Sequence, residues 1–261
     1  MRALFSAASG MEAQQLRIDS IANNIANVTT TGFKKSRTEF EDLFYETIRM
    51  PGAASAGGSS LPTGIQIGHG VRLAAIGRIF TAGDSIATSN VLDMAINGEG
   101  FFQIQKTGGE TVYTRDGSFK KDGDGNLVTK SGDLLIPTIN IAADVTNITI
   151  LPDGTVNVIQ AGTTTPVQVG QIELARFPNN AGLLALGGNL FGVTEASGDP
   201  ETGAPDQSGY GSISSGFLEG SNVNVAEELV QMILAQRAFE VNSRVIRAGD
   251  EMLRTAAQLS S

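Results

Sequence analysis

No cysteine occurs in the 261 residues, which excludes disulfides, thiolate metal sites and a cysteine nucleophile. Histidine occurs once, as His69 in QIGHGV, so any catalytic triad or histidine metal site would rest on that residue alone. The simpler reading is a histidine at a turn or strand edge. Charge is sparse, 17% of residues, and its balance of −9 argues against nucleic acid as a partner, because neutralising phosphates needs a basic face. Apolar runs near 18 residues are also missing, so no membrane-spanning helix and no direct membrane insertion are predicted. The opening MRALFSAASGMEAQQ has no continuous apolar stretch and soon turns polar, which speaks against a secretory signal.

The signatures of common chemistries are missing as well. There is no nucleophile elbow, no phosphate-cradling Gly-Lys-Ser/Thr and no dinucleotide fingerprint. INGEGFFQI has Gly98 and Gly100 but lacks the third glycine and a following helix, so it reads as a turn feeding a buried aromatic strand. DGDGNLVTKSGD sets Asp122, Asp124, Asn126 and Asp133 at positions 1, 3, 5 and 12 of a calcium loop. Position 6 is Leu127 where glycine is required, and position 12 is aspartate rather than a bidentate glutamate. A hairpin turn explains the same residues. No cofactor and no metal are expected, and no pair of acids is singled out for glycoside hydrolysis.

What is present lies at the two ends. Leu4, Ala8, Met11, Gln15, Ile18, Ala22 and Ile25 follow a 4-3-4-3 spacing, the seam of a coiled-coil-like helix. Its opposite face holds Ser6, Ser9, Gly10, Ala13, Asn23, Asn24 and Asn27, with Arg17 its one charge, where an ordinary amphipathic helix is charged. The C-terminal segment opens on Asn224 and Glu227 in capping-box spacing. One seam runs Val225, Leu229, Met232, Gln236, Phe239, Ile246 and Leu253; the other face carries Val230, Leu234, Ala238, Val241, Val245, Ala248, Met252 and Leu259. A helix apolar on two sides needs cover on two sides, which one partner helix does not supply.

Residues of about 71–205 read as strands. VYTRDGSFKKDGDGNLVTKSGDLLIPTINI alternates β-prone runs with Asp-Gly and Gly-Asp turns, and Pro-Asp-Gly marks a further turn. Sandwich and barrel are equally compatible with this pattern. Residues 51–64 are rich in Gly, Ala and Ser and read as a loop or linker. Charge follows the same division: residues 1–40 hold five basic and three acidic groups, 222–261 four and five, and the middle nine and nineteen. The predicted class is α+β, with N- and C-terminal helices paired in a coiled-coil-like layer and a central antiparallel β-rich domain. The predicted segments are 1–35 and 222–261 as halves of the helical core, 36–70 as an extended connector, 71–205 as the β domain and 206–221 as the returning connector.

Uncovered second faces imply further copies of the same chain, and unlike surfaces in contact build rings or helical filaments. The amides of Asn23, Asn24 and Asn27 would bond between packed subunits, where a buried charge is costly. The interface expected from these patterns comprises Leu4, Met11, Ile18, Ile21, Asn23, Asn24, Ile25, Asn27, Leu61, Ile65, Val225, Leu229, Met232, Leu234, Phe239, Val241, Ile246 and Leu253.

SGMEAQQLRIDSIANNIANVTTTGFKKSRTEFEDLFYETIR and GFLEGSNVNVAEELVQMILAQRAFEVNSRVIRAGDEMLRTAAQL closely resemble the terminal signatures of the bacterial flagellar rod and hook proteins. INGEGFFQI followed by YTRDGSF resembles that family's central segment, and RMPGAASAGGSSLPTGIQIGHGV resembles the insertion of its distal-rod members. The resemblance implies a structural subunit of the basal-body distal rod, polymerising into a rigid hollow drive shaft that carries torque to the hook. It implies export through the flagellar type III apparatus without a cleaved signal, and a place in the rod crossing the periplasm. Implied partners are other copies of the chain, proximal rod proteins, hook-side axial proteins and the P-ring and L-ring proteins. In that family the insertion, here about Met50 to Gly70, is associated with straightness. The alternatives are a proximal rod or hook-type axial subunit, a β-rich sugar-binding or adhesin module, and a cell-wall hydrolase.

Overall fold

A computed structural model describes residues 2–50, 63–163 and 165–259. Two long helices stand at the ends, α1 (Arg2–Ala26) and α2 (Val225–Leu259), and every register described between strands runs antiparallel. The chain divides into two compact units: Met1–Ala26, Ser36–Gly77 and Asn224–Ser261 form a helical unit, and Asn27–Lys35 with Arg78–Val223 form a β unit. This division departs from the expected segments. Residues 27–35 join the β unit, and the expected connector is built into the helical one.

α2 begins where its cap predicts. Asn224 Oδ1 accepts the Ala226 and Glu227 N–H groups at 3.0 and 3.3 Å, satisfying two donors that the first turn leaves without partners. α1 and α2 run antiparallel. Leu4 lies against Gly249 and Gly10 against Asn242, and Arg17 donates to Gln231 at 2.5 Å. The connector contributes strands: Ser36–Asp42 lies beside Val71–Arg78, and Tyr45–Arg49 pairs with Ile65–Gly68.

In the β unit a nine-stranded sheet curls around Phe101–Gln105, which pairs with Thr111–Thr114, Leu134–Ile136 and Leu174–Arg176. Successive residues of a strand point to opposite faces. Phe102 therefore enters a large core with Phe119, Leu127, Ile139, Val156 and Ile172, while Phe101 enters a second one with Tyr113, Phe177 and Phe191. This is the buried aromatic strand that INGEGFFQI predicts. The turn before it holds Gly98 and Gly100 at φ 123° and 138°, a region that disfavours a side chain. A three-stranded sheet of Val145–Ile150, Thr155–Gln160 and Val167–Gln171 adds Ile150, Val156 and Val158 to the large core.

Candidate assembly surface

Between the helices the covered strip is narrow and made of small residues. Ala7, Ala13, Ile21 and Asn24 are buried on α1; on α2 only Glu228 and Ala235 are buried among the described side chains. The expected seam is rotated. Ala8, Gln15 and Ala22 of α1 are exposed, as are Val225, Leu229 and Leu253 of α2, whereas Leu4, Met11, Ile18, Ile25, Met232, Phe239 and Ile246 are half-buried. The reason is steric. A Cβ on Gly10 would come within 2.8 Å of the Asn242 amide, and one on Gly249 within 2.5 Å of Leu4, so close approach rather than side-chain bulk decides which face turns inward.

The asparagines also behave differently from expectation. Asn24 is 2% exposed and its amide is used within one chain: Nδ2 donates to the Ser36 carbonyl at 2.9 Å and to Glu228 Oε2 at 3.2 Å, and Oδ1 accepts the Ser36 N–H at 2.9 Å. A neutral amide does here what no charged side chain can, donating and accepting with one backbone. Asn27 Oδ1 accepts from Thr30 Oγ1 at 3.2 Å, within the turn that ends α1, and Asn23 is exposed. Ile65 is exposed; Leu61 and most of the expected insertion, residues 51–62, lie outside the described residues.

The rest of α2 is uncovered and mixed, with charged residues such as Arg237, Glu240, Arg244 and Arg247 exposed beside a row of exposed apolar ones. Val230, Ile233, Leu234, Val241, Val245 and Met252 are all exposed, Leu234 by 55% and Val241 by 56%. They occur on both sides of the covered strip, together with Val225, Leu229 and Leu253. Leu234, Val241, Val245 and Met252 recur at helical spacing, and an exposed apolar stripe of that length marks an association site.

A second feature escaped sequence reasoning. Lys34 has no exposed surface, and its ammonium is held by Glu219 and by the Thr81 carbonyl at 2.8 Å. Glu219 is buried as well, with Arg115 3.5 Å from its second oxygen. Burial draws the Lys34 ammonium below the ordinary lysine pKa, opposed by the carboxylate of Glu219; burial lowers Arg115 likewise. Around this knot Gly32 donates its N–H to the Glu219 carbonyl at 2.8 Å and Thr31 donates to Asp116 at 3.0 Å. Asn189 donates to the Thr31 carbonyl at 2.7 Å, and Arg78 stands over the Phe33 ring. TTTGFKK is thus a plug seated in the β unit. A signal was present, since Lys34 and Glu219 each lie in a terminal signature, but nothing in the sequence pairs them.

The sites considered for chemistry resolve as structure. Asp122 Oδ1 accepts the Asp124 and Asn126 N–H groups at 3.0 and 2.7 Å, the turn reading of the calcium-like loop. His69 is exposed, its Nδ1 2.9 Å from the Phe44 carbonyl. Among the described residues no group of His, Asp and Glu is placed to hold a metal ion.

The two ends of the chain form one half-covered helical layer and the residues between them a separate β unit, the organisation expected from the resemblance to flagellar axial proteins. Three family models agree: "Flagella basal body rod protein" matches residues 4–34, "Flagellar hook protein FlgE/F/G D1 domain" 95–158, and "Flagellar basal body rod FlgEFG protein C-terminal" 214–259. The flagellar basal-body rod protein FlgG of Buchnera aphidicola from Acyrthosiphon pisum is 50% identical over 256 residues, 98% of each chain, and that of Agrobacterium fabrum 49% over 253 residues, 97% of each. The flagellar hook protein FlgE of Helicobacter mustelae is 41% identical, but over 51% of this chain and 29% of its own. The chain belongs to the FlgG family of flagellar basal-body rod proteins, which are structural rather than catalytic.

Proposed function

We propose that this chain, a structural subunit of the flagellar distal rod, polymerises through the uncovered faces of α1 and α2 into a hollow drive shaft that transmits torque to the hook. The observation that carries the reading is α2, whose exposed apolar stripe of Val230, Leu234, Val241, Val245 and Met252 is covered by no described residue of the same chain. Burying each exposed Leu or Val against a neighbour contributes about 1.5–3 kcal/mol. Similarity to the hook relative over only half of this chain favours rod over hook. Proximal rod, hook-side and ring proteins are the proposed further partners. Export through the flagellar type III channel is supported by the same family relation, and a chain without cysteine passes unfolded with no disulfide to break.

Leu234→Asp and Val241→Asp test this. Each places a carboxylate on the face to be buried, at a cost of several kcal/mol per contact. Both variants are expected to remain folded as monomers and to yield no rods in negative-stain images. Lys120→Asp, on an exposed strand of the β unit, is expected to assemble normally. Rods of ordinary yield from both helix variants would show that this face stays in solvent.

A further inference from the structure

The β unit has its own uncovered apolar place. Residues 177–194 carry no charged side chain, within a unit that otherwise holds nine basic and sixteen acidic groups. They include the hairpin of Leu184–Gly187 and Leu190–Gly192, and Leu184–Gly187 ends the nine-stranded sheet, with its outer side paired to no strand among the described residues. Leu184 and Leu186 are 55% and 39% exposed on this strand, whose register shifts between Ala185 and Gly187, and Val193, just past the second strand, is exposed too. The hairpin is held firmly. Asn189 at its turn donates to the Thr31 carbonyl at 2.7 Å and accepts from Thr114 Oγ1 at 2.8 Å, and a Cβ on Gly192 would come within 3.3 Å of the Leu186 side chain. Natural edge strands are often blunted by charge or proline; this one has neither, and is blunted only by its short length and the bulge between Ala185 and Gly187.

We infer that Leu184, Leu186 and Val193 form a lateral contact between the β units of neighbouring copies, added to the helical contact on which the proposed function rests. The charge balance selects the occupant. Two bodies of net charge −7 repel wherever their carboxylates face each other, so copies approach at least electrostatic cost through an uncharged edge. A basic partner would be drawn to the carboxylates elsewhere instead. Three side chains fall well short of the ~800 Å² per partner of a free-standing complex. The contact therefore forms only where the helices already hold the copies together, and the isolated β unit is not expected to dimerise.

The absence of cysteine supplies the test, since one introduced thiol is the only one in the chain. Leu186→Cys, Val193→Cys, Lys120→Cys and Leu234→Cys are labelled with a maleimide carrying a polyethylene glycol chain, as dilute monomer and as rods of this chain alone. All four are expected to react in the monomer. In rods, Cys at 186, 193 and 234 is expected to be protected at least tenfold, and at 120 to react as before. Full reaction at both 186 and 193 with protection at 234 would overturn the inference and leave the helical reading intact. Reaction at 186 in such rods but protection in whole basal bodies would assign the patch to another protein, and equally overturn it. Full reaction at 234 would remove the helical layer and, with it, the contact that depends on it.

Discussion

Lys34 illustrates what a single side chain decides here. Two cations, Lys34 and Arg115, share one buried carboxylate, so the partners are not equivalent. Glu219→Gln leaves Lys34 without its counter-charge and Arg115 with Glu99 as the remaining one, and is expected to cost about 3–5 kcal/mol in denaturant unfolding of the β unit. Lys34→Met leaves Glu219 facing Arg115 and still accepting the Gly83 N–H at 3.1 Å, so its cost is expected to be smaller, about 1–3 kcal/mol. Equal losses, or the reverse order, would mean that Arg115 takes no part in the balance. At the exposed turn the charge works the other way. Backbone N–H groups, Asn126 first, hold the Asp122 carboxyl below the usual aspartate range. A depressed folded value stabilises the turn fully above the ordinary aspartate pKa, and that contribution drains away as pH falls from there through the lower folded value. The Asn126 amide resonance is expected to move across that acid window and to stay fixed in Asp122→Asn.

At the scale of elements, the helix seam depends on what is missing from it. Gly10 lets Asn242 approach, so Gly10→Leu is expected to separate α1 from α2 locally and to lower the helix melting temperature of the protein, while Ala8→Leu, on an exposed position, leaves it unchanged. Circular dichroism at 222 nm distinguishes the two. The end of α1 at Ala26 was not legible, the helical segment being expected to run to 35, but the existence of both helices and the capped start of α2 were, in periodicity and in Asn224, as was the β unit in its alternation and Asp-Gly turns. The inward face was not, because Ala7, Gly10, Ala13, Ala235 and Gly249 carry little hydrophobic weight and act through size. The strands at Ser36–Asp42 and Tyr45–Arg49 were read as connector, since Ser-Arg-Thr-Glu-Phe-Glu-Asp offers one large apolar residue in seven. Nor was the ion pair of Lys34 with a carboxylate 185 residues away. A lysine is buried only through its partner, and no local pattern records that partner. The interior role of Asn24 was hidden for the same reason, its bonds to Ser36 and Glu228 being tertiary.

For the whole molecule, the stiffness proposed for the shaft is expected to draw on both the insertion and the helices. The strands Tyr45–Arg49 and Ile65–Gly68 close on the pair Arg49 and Ile65, so removing residues 52–64 leaves a two-residue hairpin loop at 50–51. With Asn-Gly written at those two positions the loop suits a tight turn, and the deletion is expected to fold and to polymerise, because neither helix is touched. If the insertion stiffens the shaft by docking on neighbours, the shortened rods bend visibly in electron micrographs; straight rods would place rigidity in the helices alone.

The outer faces of α2 are proposed to be covered by other copies, since no described residue of the same chain covers them. Hydrogen exchange read by mass spectrometry, on dilute monomer and on assembled rods of the same protein, addresses this directly. In the monomer, amides of residues 225–259 are expected to exchange within minutes, while those of Phe101–Gln105 and Leu134–Ile136, at the centre of the curled sheet, persist for hours. In rods the protection of 225–259 is expected to rise at least a hundredfold with the sheet unchanged. Equal protection of α2 in the two states would contradict the account.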